Sequence, residues 1–92
     1  GRRKSYFNMI RFGILDDHPL VLEGIRSLFN GDDRFNLAWG VTSAEECWQR
    51  LQTDDVDALL LDIHLEQENG IALCKQLKTR YPGLQILMLT SY

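Results

Sequence analysis

The sequence predicts an α/β domain built on a doubly wound parallel sheet, and three observations carry that prediction. Short apolar runs alternate with amphipathic stretches of helical length, which calls for parallel strands joined by helical crossovers. One run, Ala58-Leu59-Leu60-Leu61-Asp62-Ile63-His64-Leu65, has nothing polar before its carboxylate and reads as a strand buried on both faces. Acidic residues also stand at the carboxyl ends of two of the runs, where open α/β sheets keep their ligands. Asp62 is therefore where chemistry is expected, although a lone Asp after a strand also serves simply to cap the turn that follows.

The chain has 92 residues, 45% hydrophobic and 25% charged, which suits one small globular domain with a modest core. A net charge of −3 and a pI near 5.2 give no sign of a nucleic-acid or anionic-membrane surface. The basic cluster Arg2-Arg3-Lys4 lacks the apolar stretch of a signal peptide, and no run could span a membrane, so a cytoplasmic protein without membrane contacts is expected. Cys47 and Cys74 fit no metal or redox spacing and fall on apolar helix faces, as buried thiols in a reducing compartment would.

Residues 1–8 have no period and read as a tail or an expression remnant, with the domain running from 9 to 92. Ile10 to Leu15 reads as the first strand, ending in Asp16-Asp17. Pro19 suits a first helical position, and Val21, Gly24, Ile25 and Leu28 make a stripe behind it that stops at Asn30-Gly31-Asp32-Asp33. Phe35, Leu37, Trp39 and Val41 alternate with Asn36, Ala38 and Gly40, the pattern of an edge strand with one better-covered face. Ser43 and Glu46 form a capping box ahead of a stripe of Ala44, Cys47, Trp48 and Leu51, a helix ending near Thr53. Val56 to Asp62 is the buried third strand. Gly70 opens a helix carrying Leu73, Cys74, Leu77 and Tyr81, which Pro82-Gly83 ends, and Leu84 to Thr90 is a second nearly continuous apolar strand.

Helices on both faces require the strand order to reverse, and the half-exposed second strand must lie at an edge; the simplest solution is the order 2-1-3-4. The crevice at the reversal then brings Asp16 and Asp17 to Asp62. Two like charges about 4 Å apart repel by roughly 4 kcal/mol at an effective dielectric near 20, so three carboxylates must partly protonate or take up a cation. Hard oxygen donors with room for water suit Mg2+ better than Zn2+. His64, at the mouth of the crevice, is expected to turn its backbone carbonyl rather than its imidazole toward the metal.

Ile14-Leu15-Asp16-Asp17-His18-Pro19, the Leu-Leu-Leu-Asp62-Ile-His-Leu strand end, Gly70 opening the next helix, and Leu-Met-Leu-Thr90-Ser91 resemble, in order and spacing, the receiver domains of two-component response regulators. The resemblance runs from about Ile10 to Tyr92 and implies a three-layer flavodoxin-like fold. Asp16-Asp17-His18-Pro19-Leu20-Val21-Leu22-Glu23-Gly24 looks most like receivers that precede a LuxR-type helix-turn-helix domain. By position, the resemblance implies that Asp62 accepts a phosphoryl group from a sensor histidine kinase. Asp17 and Asp62 would hold Mg2+ directly, with Asp16 acting through water or as an orienting acid and the His64 carbonyl completing the site. Thr90 would donate its hydroxyl to the phosphoryl group as a switch. The implied protein is a phosphoacceptor rather than an enzyme, controlling an output such as transcription and touching DNA only through a C-terminal domain absent from this chain.

The sequence departs from that family twice: Glu66 stands where a Pro is usual, which implies a more mobile and more acidic loop, and the family's last helix-strand-helix is missing after Tyr92. Ending there would leave Leu84 to Thr90 as an apolar edge, for which a homodimer through paired fourth strands is expected. Two other functions fit parts of the pattern. A receiver-like module used only for protein contacts needs no phosphorylation, and a haloacid-dehalogenase-type phosphohydrolase wants a second Asp where this chain has His64.

Overall fold

A computed structural model describes residues 9–90, so the expected tail at 1–8 lies outside the described residues. The elements follow in strict alternation: β1 (Ile10–Leu15), α1 (Pro19–Phe29), β2 (Phe35–Val41), α2 (Ala44–Thr53), β3 (Ala58–Asp62), α3 (Gly70–Arg80) and β4 (Gln85–Leu89). All three strand pairings are parallel and the order is β2-β1-β3-β4, as the chain's pattern required. Asp57 contributes at the rim of β3, its N–H donating to the Arg11 carbonyl and its carbonyl accepting from Gln85, so pairing begins just before the strand proper.

The main core lies between the sheet and α2 and α3. Leu15 of β1, Trp39 and Val41 of β2, and Leu59 and Leu61 of β3 pack with Cys47 of α2, Leu73 and Leu77 of α3, and Leu84. Each fully buried leucine stabilises by roughly 1.5–3 kcal/mol relative to exposure, and Leu59, Leu61, Leu73 and Leu77 anchor both helices in this way. The stripes expected on α2 and α3 are the ones that pack. Burial pushes the Cys47 thiol up to about 12, so it behaves as a small apolar residue.

The opposite face carries α1 over an aromatic cluster, Phe12, Phe29 and Phe35, with ring centroids 5.0–6.3 Å apart. Here two expectations need correction. The α1 stripe of Val21, Gly24, Ile25 and Leu28 is rotated: Gly24 and Leu28 are exposed, and Val21, Leu22, Ile25 and Phe29 are the half-buried residues. The helix turns so that Phe29 can join the other two rings, and the sequence periodicity did not distinguish the two faces. Alternation along β2 is also interrupted. The pairing with β1 shifts between Phe12 and Gly13, leaving Ala38 as an extra residue, so Phe35 and Leu37 share the Phe12 face while Trp39 and Val41 share the Gly13 and Leu15 face.

Gly13 explains the register after the bulge. A Cβ there would stand 2.5–2.7 Å from three atoms of the Trp39 ring, so the indole lies directly on the glycine backbone. β4 is the other sheet edge among the described residues, and only alternate residues turn inward: Leu87 is 54% exposed, while Ile86 and Met88 pack against the core. The apolar run therefore overstated its burial. No helix of the described residues is long and apolar enough to cross a membrane.

Candidate functional site

The reversal of strand order falls between β1 and β3, and the crevice above it is where the acids meet. Asp16 and Asp17 leave β1 and Asp62 ends β3. Asp16 and Asp62 are almost completely buried, at 1% and 0% exposure, which makes their partners decisive. The Asp16 N–H donates to the Val41 carbonyl at 3.1 Å, and its Oδ1 accepts from the His18 backbone N–H at 2.9 Å. Asp62 Oδ1 accepts from the His64 N–H at 2.9 Å, and Asp17 Oδ2 accepts from the Glu66 N–H at 2.7 Å.

Each of the latter two carboxylates is thus fixed by a backbone amide on one oxygen, while its other oxygen accepts no hydrogen bond. Asp17 Oδ1 and Asp62 Oδ2 are buried without a hydrogen-bond partner. Burying an unpartnered carboxylate oxygen is costly, so these two atoms mark where a cation is wanted. One oxygen each from Asp16, Asp17 and Asp62 and one imidazole nitrogen from His18 all lie within 4.8 Å of one another. An oxygen-rich set with this spacing fits a hard divalent ion such as Mg2+.

His18 was not singled out by sequence reasoning, and it is the part of this cluster that reasoning missed. Its Nδ1 lies 2.9 Å from Asp16 Oδ1, 3.1 Å from Asp17 Oδ1 and 3.8 Å from Asp62 Oδ2. The bond to Asp16 raises its pKa above the ordinary imidazole value, with the charges of Asp17, Asp16 and Asp62 assisting and burial opposing. One sequence signal pointed there. Pro19 opens α1, so His18 occupies the N-cap, and a histidine is a poor cap; its side chain makes no capping bond and turns to the acids instead.

The β3–α3 loop is shaped by close packing and by caps. A Cβ on Gly70 would meet Ile63 Cα and the Ile63 and Asp62 carbonyl oxygens at 2.8–2.9 Å, so only glycine lets α3 begin against the backbone that carries Asp62. Asn69 caps α3, its Oδ1 accepting from Ile71 and Ala72. The Glu66 N–H ties this loop to Asp17, so among these contacts the position where the family usually has Pro is an anchor. His64 lies in the loop with its side chain exposed and its amide on Asp62. Thr90 is exposed and follows Leu89, which pairs with Asp62 in register and accepts from Ile63 N–H at 2.9 Å. The sequence-expected acids are therefore brought together, and Thr90 follows the strand end beside them.

A four-stranded doubly wound sheet with buried acids gathered at its reversal defines an α/β domain with a candidate cation site at its switch point, and the comparisons make the membership specific. The chain belongs to the response regulator receiver domain family, whose model matches residues 12–92. It is similar to the DNA-binding transcriptional activator DevR/DosR of Mycobacterium tuberculosis, with 34% identity over 91% of this chain and 39% of the relative. It is also similar to the transcriptional regulatory protein DegU of Brevibacillus brevis, with 28% identity over 90% of this chain and 35% of that protein. The isolated receiver domain of RcsB from Salmonella enterica serovar Typhimurium, solved with the phosphomimetic BeF3−, superposes with a TM-score of 0.84 at 30% identity, over 92% of this chain and 64% of that one. The non-phosphorylated receiver domain of RcsB from Escherichia coli gives 0.83 at 30% identity, over 90% of this chain and 66% of that one. The chain spans well under half the length of the first curated relatives it matches. It is a receiver domain of the kind that two-component response regulators carry, with the flavodoxin-like sheet order.

Proposed function

We propose that Asp62 is the phosphoacceptor of a two-component response regulator. The observation that carries this is the buried, unpartnered Asp62 Oδ2, whose sister oxygen is held by the His64 amide. A carboxylate is a weak nucleophile, so a fixed attack direction and a dry setting are what the chain can contribute. In the proposed step an Asp62 oxygen attacks the phosphorus of a phosphohistidine on a sensor kinase. The P–O bond forms as the P–N bond breaks, and the electron pair leaves on the imidazole nitrogen. When bound, Mg2+ would neutralise the oxygens of the group in transfer. Asp17 and Asp62 would hold it directly, Asp16 would act through water or orient, and the His64 carbonyl would complete the set.

Thr90 follows the residue paired with Asp62, which supports a role for its hydroxyl as donor to a phosphoryl oxygen and as switch. The acceptor assists its own phosphorylation and needs no further enzymatic activity. Relatives described as transcriptional regulators support an output in transcription, through a LuxR-type DNA-binding domain elsewhere in the protein, and a cytoplasmic location.

Phosphoryl-donor labelling tests the main reading against its rivals. Incubated with Mg2+ and a small acyl phosphate, the intact protein should gain one acid-labile phosphoryl group, lost in Asp62→Asn. Rapid release of phosphate with no stable label would favour a phosphohydrolase, and no label a module for protein contacts alone. Retention of label in Asp62→Asn would contradict the assignment outright.

A further inference from the structure

The cation reading above leaves one group unexplained, an imidazole placed among the carboxylates rather than at the helix start it occupies. We propose that His18 is itself a metal ligand, its Nδ1 joining Asp17 Oδ1 and Asp62 Oδ2, and that it biases this site toward ions that accept nitrogen, such as Mn2+ and Co2+. The inference rests on the metal-site reading and adds a donor of a different chemical kind.

The distances suit ligation. Around an ion with bonds near 2.1 Å, adjacent octahedral ligands lie about 3 Å apart and opposite ones about 4.2 Å. His18 Nδ1 stands 3.1 Å from Asp17 Oδ1, an adjacent-ligand spacing, and 3.8 Å from Asp62 Oδ2, between the two. Both oxygens are buried without a hydrogen bond, and the imidazole nitrogen is gathered with them and with Asp16 within 4.8 Å. Of these, Asp62 is fully buried, and that independent demand for a cation lifts the cluster above a chance gathering of acids.

The main chain that carries the ring is also held in place. His18 N–H donates to Asp16 Oδ1 at 2.9 Å, and the fixed φ of Pro19 follows at once, so the imidazole sits at a rigid junction between β1 and α1. Without metal, Nδ1 is 2.9 Å from the same Asp16 oxygen. With metal, the Nδ1 lone pair would go to the ion and the ring hydrogen would sit on Nε2. Asp16 Oδ1, which then receives no hydrogen from Nδ1, would turn to the ion directly or through a water. Imidazole suits first-row transition ions, whereas Mg2+ favours oxygen. An all-carboxylate site would lack that discrimination.

The test is pulsed electron paramagnetic resonance on Mn2+ bound to the intact protein, read through nitrogen modulation of the electron spin echo. Directly bound imidazole should give 14N modulation in the wild type and in His64→Gln, and lose it in His18→Gln. Labelling histidine with 15N changes no contact and must alter the same modulation, which keeps the result decisive if a variant folds poorly. Losing even an outer partner of a ligand weakens metal affinity by about 10- to 100-fold, so His18→Gln should weaken Mn2+ and Co2+ at least ~10-fold and Mg2+ far less. Bound Mn2+ without 14N modulation, or modulation surviving His18→Gln, overturns the proposal and leaves the acidic metal site standing. No Mn2+ or Mg2+ binding, or binding indifferent to Asp17→Asn, overturns the metal-site reading itself and this inference with it.

Discussion

The backbone amide of Glu66 donates to Asp17 Oδ2 across 2.7 Å, joining the loop after β3 to the loop after β1, 49 residues earlier in the chain. A proline at this position, usual in the family the sequence resembles, has no N–H to give. Here the bond fixes one oxygen of Asp17 and so aims the other into the crevice.

Glu66→Pro should therefore cost about 1 kcal/mol of stability, the net worth of one such bond, and reduce the melting shift caused by Mg2+. Glu66→Ala keeps the amide and should leave both nearly unchanged. Chemical and thermal denaturation of the two variants, with and without Mg2+, make the comparison. Equal behaviour of the two would show that the tether contributes nothing.

Two glycines are required by what lies on them, and they should respond differently to a methyl group. Gly13→Ala drives a Cβ into the Trp39 ring, a side chain with some freedom to move, and should destabilise by about 1–3 kcal/mol as core overpacking does. Trp39→Leu in the same chain should restore part of that loss, which a double-mutant cycle would register. Gly70→Ala meets backbone atoms of Ile63 and Asp62, which have less freedom to yield. It should shift the amide resonances of Ile63 and His64 more than Gly13→Ala does. The reverse order would contradict the packing described.

Arg34 holds the Asp32 carboxyl down at about 2, first through its side-chain hydrogen bonds and then through its backbone N–H. Because the folded pKa lies below the ordinary value of 3.8, this pair's contribution is present above that value and is lost as pH falls through about 2. The carboxyl carbon resonance of Asp32 should titrate near the lower value, and in Arg34→Ala it should return toward the ordinary one. A midpoint unaffected by Arg34→Ala would exclude the pairing in solution.

Much of this arrangement could be read from the residues because strong local signals agreed with one another. The buried β3 run, the α2 and α3 stripes and Pro19 at the α1 start each called for the element observed, and the 2-1-3-4 order followed from one half-exposed strand and the need for helices on both faces. The same topology carried Asp16, Asp17 and Asp62 together. What could not be read depended on contacts between distant residues. The bulge at Ala38 is set by the Trp39 ring lying on Gly13, and strict alternation along Phe35–Val41 concealed it. The rotation of α1 is set by Phe29 meeting Phe12 and Phe35. The Glu46 side chain reaches the Ser43 and Thr42 hydroxyls rather than closing the box on the Ser43 backbone, although Ser43 Oγ accepts from Glu46 N–H as expected. His18 carried no periodic signal, because a residue between two acids and a proline belongs to no stripe.

The central claim is that Asp62 carries the phosphoryl group, and trapping tests it most directly. An aspartyl phosphate reduced with borohydride becomes homoserine, which peptide mass spectrometry locates to a single residue. After incubation of the intact protein with Mg2+ and an acyl phosphate, homoserine should appear at residue 62, and its yield should fall when Mg2+ is chelated. Homoserine at residue 16 or 17 instead, or none at 62 while phosphoryl label is retained elsewhere, would contradict the account.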